Sequence, residues 1–497
     1  MTMQRVVMAL DQGTTSSRTI LFDEKGNVLA SAGCGFPSYF PSPGWVEQDA
    51  EEIWSSQKKT MLEALGRANL EMKEIAAIGI TNQRETTIAW NGETGEAIAP
   101  AIVWQCRRTA DYCKSLTEEG YERMIRRKTG LVADAYFSGT KMRWILKNRP
   151  LAKELAEQGK LCFGTVDSWL IWKLTGGKSF VTDVSNASRT LVYNIFEGDW
   201  DCELLRKLDI PAETLPEVKG SSETVGYTNA AEWGAEVPIA GVAGDQQSAL
   251  FGQACFDPGM AKNTYGTGCF LLLNTGSKAV LSQNGLLTTV AWKIGNEVTY
   301  ALEGSIFVGG SLIQWLRDKL ELFDDAAETE AMALSVADSG GLYIVPAFVG
   351  LGAPHWDSYA RGTMIGITRN TDKNHIVRAS LEAIAFQSYD LIQAIQQDAG
   401  IALDVLRVDG GATANNFLCQ FQADVLGVEV SRPRIVETTA MGAAFLAGLA
   451  VGVWKDKEQI KTLWQEERRF SPRMKRADAG KLVGGWQKAL ERSKKWI

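Results

Sequence analysis

One device occurs twice in this chain, and any fold has to accommodate both copies. "LDQGTTSSRTILFDEKGN" (10–27) runs from an apolar strand through a Gly and hydroxyl turn into a second apolar strand and a closing Gly turn. "NTYGTGCFLLLNTGSKAV" (263–280) repeats that outline. Each reads as a β-hairpin whose tip carries hydroxyls and closely spaced backbone N–H groups. Such tips serve as ordinary turns. They also serve as phosphate cradles, and in the first copy a carboxylate, Asp11, stands beside the tip. We read the pair as an internal repeat of one fold unit, with the division near Gly252. Two unrelated hairpins would give the same local pattern.

The chain is long enough for two units, since 497 residues exceed what one hydrophobic core organises. Strand and helix signals alternate on both sides of the division, which is the pattern of α/β domains. "IAAIGI" (75–80) is a buried strand by its continuous apolar run. A helix opens at Asp49, with Glu52 at capping-box spacing and Ile53, Trp54, Met61, Leu62 and Leu65 as its apolar face. "LCFGTVDSWLIWKLTG" (161–176) and "VPIAGVAGDQQSALFG" (237–252) each run from strand into helix. In the second half we expect a helix over 374–398, a strand, Gly-Gly and helix over 405–427, and a small-residue helix over 439–452.

A net charge of −7 argues against a nucleic-acid partner. No apolar run approaches the roughly 18 residues of a membrane span. The apolar stretch after Arg5 ends too soon, at Asp11, for a signal peptide. The eight cysteines form no Cys-x-x-Cys pair and read as reduced thiols, so a cytoplasmic location is expected. With only His355 and His375 present, a His-rich transition-metal site is excluded, whereas a hard oxygen-liganded ion such as Mg2+ is not.

Three Gly-rich turns follow strands: Gly13, Gly266/Gly268 and Gly410/Gly411. None is a Walker A loop or a dinucleotide fingerprint. Together they suggest two hairpins holding phosphates between two domains, with a third turn that lets a flat base approach the backbone. This arrangement, with "YFSGTKMRWILKN" (136–148) and "GTMIGITRNTDKNHIVRASLE" (362–382), resembles the FGGY carbohydrate kinases of the actin-like, Hsp70-like ATPase superfamily, over essentially the whole chain. "GITNQRETTI", "IVWQCRRTA", "GTVDSWLIWKLTGG", "GVAGDQQSALFG", "NTYGTGCFLL" and "LRVDGGATANNFL" are similar to the members that act on glycerol. Xylulose-type members carry Met-His-Gly near the place of Gln83-Arg84-Glu85-Thr86.

The resemblance implies two RNase-H-like α/β domains, 1–252 and 253–497, with ATP in the cleft between them. It implies transfer of the γ-phosphoryl of Mg·ATP to glycerol, giving sn-glycerol 3-phosphate, by a homodimer or homotetramer. Asp11 then suits Mg2+ through water. Thr14, Thr15 and Ser16 donate to the terminal phosphates, Arg18 adds positive charge, and Thr267 holds phosphate from the opposite domain. Gly310, Gln314, Gly411 and Asn415 line the nucleotide site by the same resemblance. Asp245, between a strand and a helix, is the expected general base, although an Asp there also suits an N-cap. Arg84 and Glu85 are expected on the glycerol hydroxyls, each orienting the other. An Arg-Glu pair is more often a surface salt bridge, but these two follow a buried strand. Asp245, Gln246 and Tyr136 complete the polar ring, and Trp104 and Phe270 cover the carbon backbone.

Two other readings compete. One is an FGGY kinase for a larger polyol or a ketose, against which the Arg84, Glu85 and Trp104 set argues. The other is a non-catalytic nucleotide switch, since fold does not fix function. A switch has no need of a polar ring around Asp245. His355 and His375 read as structural. The stretch 227–241 carries no Lys, Arg or His, so neither a sugar bisphosphate nor a histidine phosphocarrier is expected to act through it.

Overall fold

A computed structural model describes residues 5–357 and 359–497. Two mixed sheets organise them. The first contains Val6–Gln12 (β1), Ser16–Asp23 (β2), Val28–Gly35 (β3), Ile75–Asn82 (β4), Ser222–Tyr227 (β5) and Pro238–Gly244 (β6), in the order β5-β6-β4-β1-β2-β3. The second contains Ala261–Tyr265 (β7), Cys269–Gly276 (β8), Leu287–Ile294 (β9), Glu297–Ile306 (β10), Val405–Asp409 (β11), Glu429–Pro433 (β12) and Glu466–Phe470 (β13). Its order is β9-β10-β8-β7-β11-β12-β13.

The repeat seen in the two hairpins extends to a five-stranded core in each sheet. Both sheets share one core, β3-β2-β1-β4-β6 in the first and β10-β8-β7-β11-β12 in the second. In both, the opening hairpin is antiparallel and the last two core strands run parallel to the first. This is the RNase-H-like plan, used twice.

The helices that matter here are Ala50–Ala68 (α1), Asp245–Gly252 (α2), Gly310–Asp318 (α3), Lys373–Ala399 (α4), Asn416–Leu426 (α5) and Thr438–Ala450 (α6). Asp49 caps α1 by accepting from the backbone N–H of Glu51 and Glu52. The return half of the expected capping box is missing, because the Glu52 carboxylate accepts the Tyr39 hydroxyl instead at 3.0 Å.

Alternation along β1 and β2 splits their side chains between two cores. Val6, Met8, Leu10 and Leu21 pack with Ile53 and Met61 of α1. Val7, Ala9, Ile20 and Phe22 pack with Ala440, Ala444 and Phe445 of α6. A helix encoded near the end of the second half thus roofs the first sheet. Its small residues explain how. A Cβ on Gly442 would stand 1.8 Å from the Ser248 carbonyl oxygen on α2, and one on Gly79 of β4 would stand 2.1 Å from the Ala443 oxygen. Backbone meets backbone at both points, with no side-chain end free to yield. Gly442→Ala is therefore expected to destabilise the protein by at least about 1–3 kcal/mol through overpacking. A denaturation midpoint equal to that of the wild type would refute this.

Candidate active site

The side of the site expected to hold the polyol begins where β4 ends. Glu85 sits in a left-handed conformation, φ 59°, which is costly for a residue with a side chain. The neighbouring helix Ser138–Asn148 holds it there: Ser138 Oγ and Lys141 Nζ each donate to the Glu85 carbonyl at 3.1 Å. Both donors belong to the stretch "YFSGTKMRWILKN". Burial pulls the Lys141 ammonium down to about 8, against the nearby Glu85 carboxylate.

Arg84 and Glu85 are both buried, which excludes the surface salt bridge. They also form an ion pair with each other, but at 3.9 Å it is looser than the pair each makes elsewhere. The left-handed turn carries the two side chains to different partners. Arg84 is clamped by Glu303, at 2.5 Å from Nη1 to Oε2 and 2.9 Å from Nη2 to Oε1. Glu85 Oε1 accepts from Arg189 Nε at 2.7 Å, and Arg189 Nη2 donates to Glu303 Oε1 at 2.9 Å. Two guanidiniums and two carboxylates form a buried, charge-balanced quartet, the arrangement that makes charge tolerable away from water. Burial alone would raise Glu303, but Arg189 and Arg84 outweigh it and bring the carboxyl down to about 2. Burial keeps Glu85 above the ordinary carboxylate value, against the pull of Arg189 and Arg84.

Sequence reasoning missed Arg189 and Glu303. A signal existed for Glu303, a lone charge inside the apolar run of β10, because a buried charge requires a partner. Arg189 had no such signal.

Asp245 is the first residue of α2, and Gly244 holds the N-cap position, so the capping alternative is removed. Asp245 Oδ1 accepts from the Gln246 backbone N–H at 2.8 Å and lies 3.2 Å from Arg84 Nε. Its Oδ2 accepts from Gln246 Nε2 at 3.1 Å. The side chain keeps 30% exposure, so the carboxylate is both fixed and reachable. A Cβ on Gly244 would stand 2.6 Å from Arg84 Cδ, so only glycine lets the guanidinium pass.

Trp104 meets Tyr136 edge-on at 5.6 Å and Phe270 at 6.5 Å. The Tyr136 hydroxyl lies 3.5 Å from Arg84 Nη2, and burial holds it protonated. Arg84, Glu85, Trp104, Tyr136, Asp245, Gln246 and Phe270 thus form one contiguous cluster, with Phe270 supplied by β8 of the second sheet.

Trp104 also joins this cluster to the first hairpin, donating from Nε1 to Thr14 Oγ1 at 3.0 Å. Thr15 and Arg18 are exposed beside Thr14 and Ser16. Asp11 pairs in register with Arg18 across the hairpin. Burial pushes Asp11 up to about 6, with Arg18 opposing and Asp245 and Glu437 adding. On the second hairpin, α3 starts against the tip: Gly310 N–H donates to the Gly266 carbonyl at 2.8 Å, and Ser311 N–H to the Thr267 carbonyl at 3.1 Å. The Thr267 side chain stays exposed, as does Gln314 one turn along α3. Gly411 follows β11, the strand paired with β7. Asn415 is the N-cap of α5, its Oδ1 accepting from Leu418 N–H and its amide donating to Thr329 Oγ1 at 3.1 Å, so it already has a structural task. Among the described residues no hydrogen bond joins the Thr14–Ser16 tip to the Gly266–Gly268 tip.

The two histidines stand in ordinary pairings. His355 pairs with Asp390 at 3.2 Å, and His375 helps to cap α4 with Asp372. The eight cysteines are free thiols.

Two hydroxyl-tipped hairpins on sheets of one plan, with a fixed and reachable carboxylate nearby, define a nucleotide-dependent phosphotransferase for a small polar acceptor. Comparison with known proteins gives the family. Residues 6–252 match the N-terminal domain of the FGGY family of carbohydrate kinases, and residues 261–451 match its C-terminal domain. The chain belongs to that family. It is 59% identical over 494 residues to a glycerol kinase of Caldanaerobacter subterraneus subsp. tengcongensis, covering 99% of each chain. It is 59% identical over 492 residues to glycerol kinase 2 of Thermotoga maritima, again covering 99% of each. Among solved structures, a Plasmodium falciparum glycerol kinase with ADP superposes with a TM-score of 0.92 at 38% identity, covering 99% of this chain and 98% of that one.

Proposed function

We propose that this chain transfers the γ-phosphoryl group of ATP to glycerol, giving sn-glycerol 3-phosphate. The observation that carries the reading is the buried quartet beside Asp245, which presents a fixed donor and a fixed acceptor next to a reachable base. Full-length identity of 57–59% to several proteins named glycerol kinase supports the substrate. Phosphoryl transfer asks for positioning, charge neutralisation and a proton acceptor rather than covalent chemistry. Arg84 donates to the glycerol hydroxyls and Glu85 accepts from them. Tyr136 and Gln246 complete the ring, and Trp104 and Phe270 cover the carbon chain. Asp245 takes the proton of the attacking hydroxyl. Thr14, Thr15, Ser16, Arg18 and Thr267 bind the phosphates, while Gly310, Gln314, Gly411 and Asn415 face the rest of the nucleotide. We place the division of the chain at 252/253, with α6 lent back to the first unit.

Among the described residues no group of three or more His, Cys, Asp or Glu stands together as an ion site. Mg2+ needs no such group, because it keeps several waters and is held by one or two carboxylates plus substrate phosphates. Asp11 is the carboxylate we assign, through water. When bound, the ion neutralises charge on the transferring group. No helix among the described residues is long and apolar enough to cross a membrane. We read the enzyme as cytoplasmic from its cysteine usage, and as a homodimer or homotetramer from the family resemblance.

The test is ADP release from ATP with glycerol, xylulose and gluconate as acceptors. ADP release should depend on glycerol and be weak with the larger acceptors. Faster turnover of a ketose would replace the substrate, and ATP hydrolysis indifferent to every acceptor would return the chain to the nucleotide-switch reading.

A further inference from the structure

The polyol-facing side chains of the first half are held from the second. Lys262 on β7 stands opposite Leu272 on β8, and Leu272 opposite Glu303 on β10. Residues directly opposite across antiparallel strands share a face, so the three side chains form one row across the second sheet. The row faces the first half. Leu272 lies in one apolar cluster with Leu250 and Phe251 of α2. On one side of it Glu303 closes on Arg84 with both oxygens. On the other side Lys262 Nζ donates to Gln246 Oε1 at 2.5 Å and to Thr264 Oγ1 at 2.8 Å.

These contacts act on different parts of the chemistry. With its oxygen taken by Lys262, the Gln246 amide has only its Nε2 end left for Asp245, and it donates to Oδ2 at 3.1 Å. A lysine facing an amide oxygen fixes the amide's orientation, because the flipped amide would set donor against donor. Glu303 fixes the guanidinium plane of Arg84 in the same way, by a bidentate clamp. Both fixing groups are fully buried, so solvent does not compete for either.

We infer that Lys262 and Glu303 are positioning residues for the phosphorylation of glycerol, one row of the second sheet aiming the polyol donor and the amide that holds the base. The inference rests on the function proposed above. Neither residue needs to touch substrate. Lys262 acts through Gln246, and Glu303 acts through Arg84.

Steady-state kinetics of Glu303→Gln, Glu303→Asp, Lys262→Met, Gln246→Ala and the Lys262→Met/Gln246→Ala double variant test this. Glu303→Gln should raise KM for glycerol at least about tenfold with KM for ATP within about twofold, and Glu303→Asp, which keeps the charge, should recover part of that loss. Lys262→Met should lower kcat about tenfold, and adding Gln246→Ala should cost little more, since groups acting through one another are not additive. If Glu303→Gln does not fold, the Lys262 and Gln246 cycle decides. Additive losses in that cycle, or equal losses toward ATP and glycerol with no recovery in Glu303→Asp, would make the row a structural seam and overturn the inference. A wild-type enzyme that releases ADP with glycerol while all variants match it would sink the inference alone. A wild-type enzyme indifferent to glycerol would sink the proposed function first.

Discussion

Asp245→Asn should lose turnover by about 100- to 10,000-fold while glycerol still binds, the range expected when a general base is removed. The substitution keeps the size of the side chain, and the amide oxygen still accepts from the Gln246 backbone N–H or from Arg84 Nε. What disappears is the capacity to take a proton from the attacking hydroxyl. A second effect compounds the first. Gln246 Nε2 now meets an amide where it met a carboxylate oxygen, and Lys262 prevents Gln246 from flipping to suit. The base position therefore loses its chemistry and part of its alignment together. Coupled ADP release gives kcat, and calorimetry gives glycerol affinity. A kcat near that of the wild type would remove Asp245 from the role of base.

Glu85→Ala should raise KM for glycerol at least about tenfold, because about 1.4 kcal/mol already gives that factor. The geometry adds a stability cost. Truncating Glu85 leaves Arg189 Nε without its 2.7 Å partner, in a side chain whose Nη1 already has none. Removing one member of a buried ion pair costs about 3–5 kcal/mol, so the unfolding temperature should fall as well. Glu85→Gln separates the two effects. Its carbonyl oxygen can still accept from Arg189, so stability should largely return while glycerol binding stays impaired for want of charge. KM for ATP should move little in either variant, since the Glu85 carboxylate pairs with Arg189 and Arg84 and not with the residues we propose for the phosphates, Thr14, Thr15, Ser16, Arg18 and Thr267. Equal impairment toward ATP and glycerol, or unchanged glycerol use, would make Glu85 a structural residue. A Trp104→Ala variant removes an apolar wall without touching the quartet, and because it also removes the donor to Thr14 Oγ1, acceptor use should change most, with a smaller effect on ATP.

How far the sequence revealed this site depends on how local each signal is. The opening hairpin, the buried strand before Arg84 and the turn into Asp245 are written in contiguous residues, and each appears where the pattern places it. The 374–398 helix is Lys373–Ala399, capped by Asp372. Pairing is different. Arg84 and Glu303 are 219 positions apart, and Glu85 and Arg189 are 104 apart. No periodicity reaches that far, so the charge inside β10 announced a need for a partner without naming it. The same limit explains Glu52. Its spacing from Asp49 fits a capping box, but tertiary packing brings Tyr39 within reach first. It also explains α6, whose small residues signal close packing without saying against what.

The roof that α6 lays over the first sheet has a consequence for synthesis. Translation delivers β1 to β6 first, complete by Gly244. The helix that covers Val7, Ala9, Ile20 and Phe22 ends only at Ala450. Elongation at about 5–20 residues per second leaves roughly 10–40 s between the two. Throughout that interval the face that α6 covers in the folded protein has only α2 from its own half, with Leu250 and Phe251, to shield it. The first half is thus born early and matures late, and its folding on the ribosome is timed by the arrival of the second.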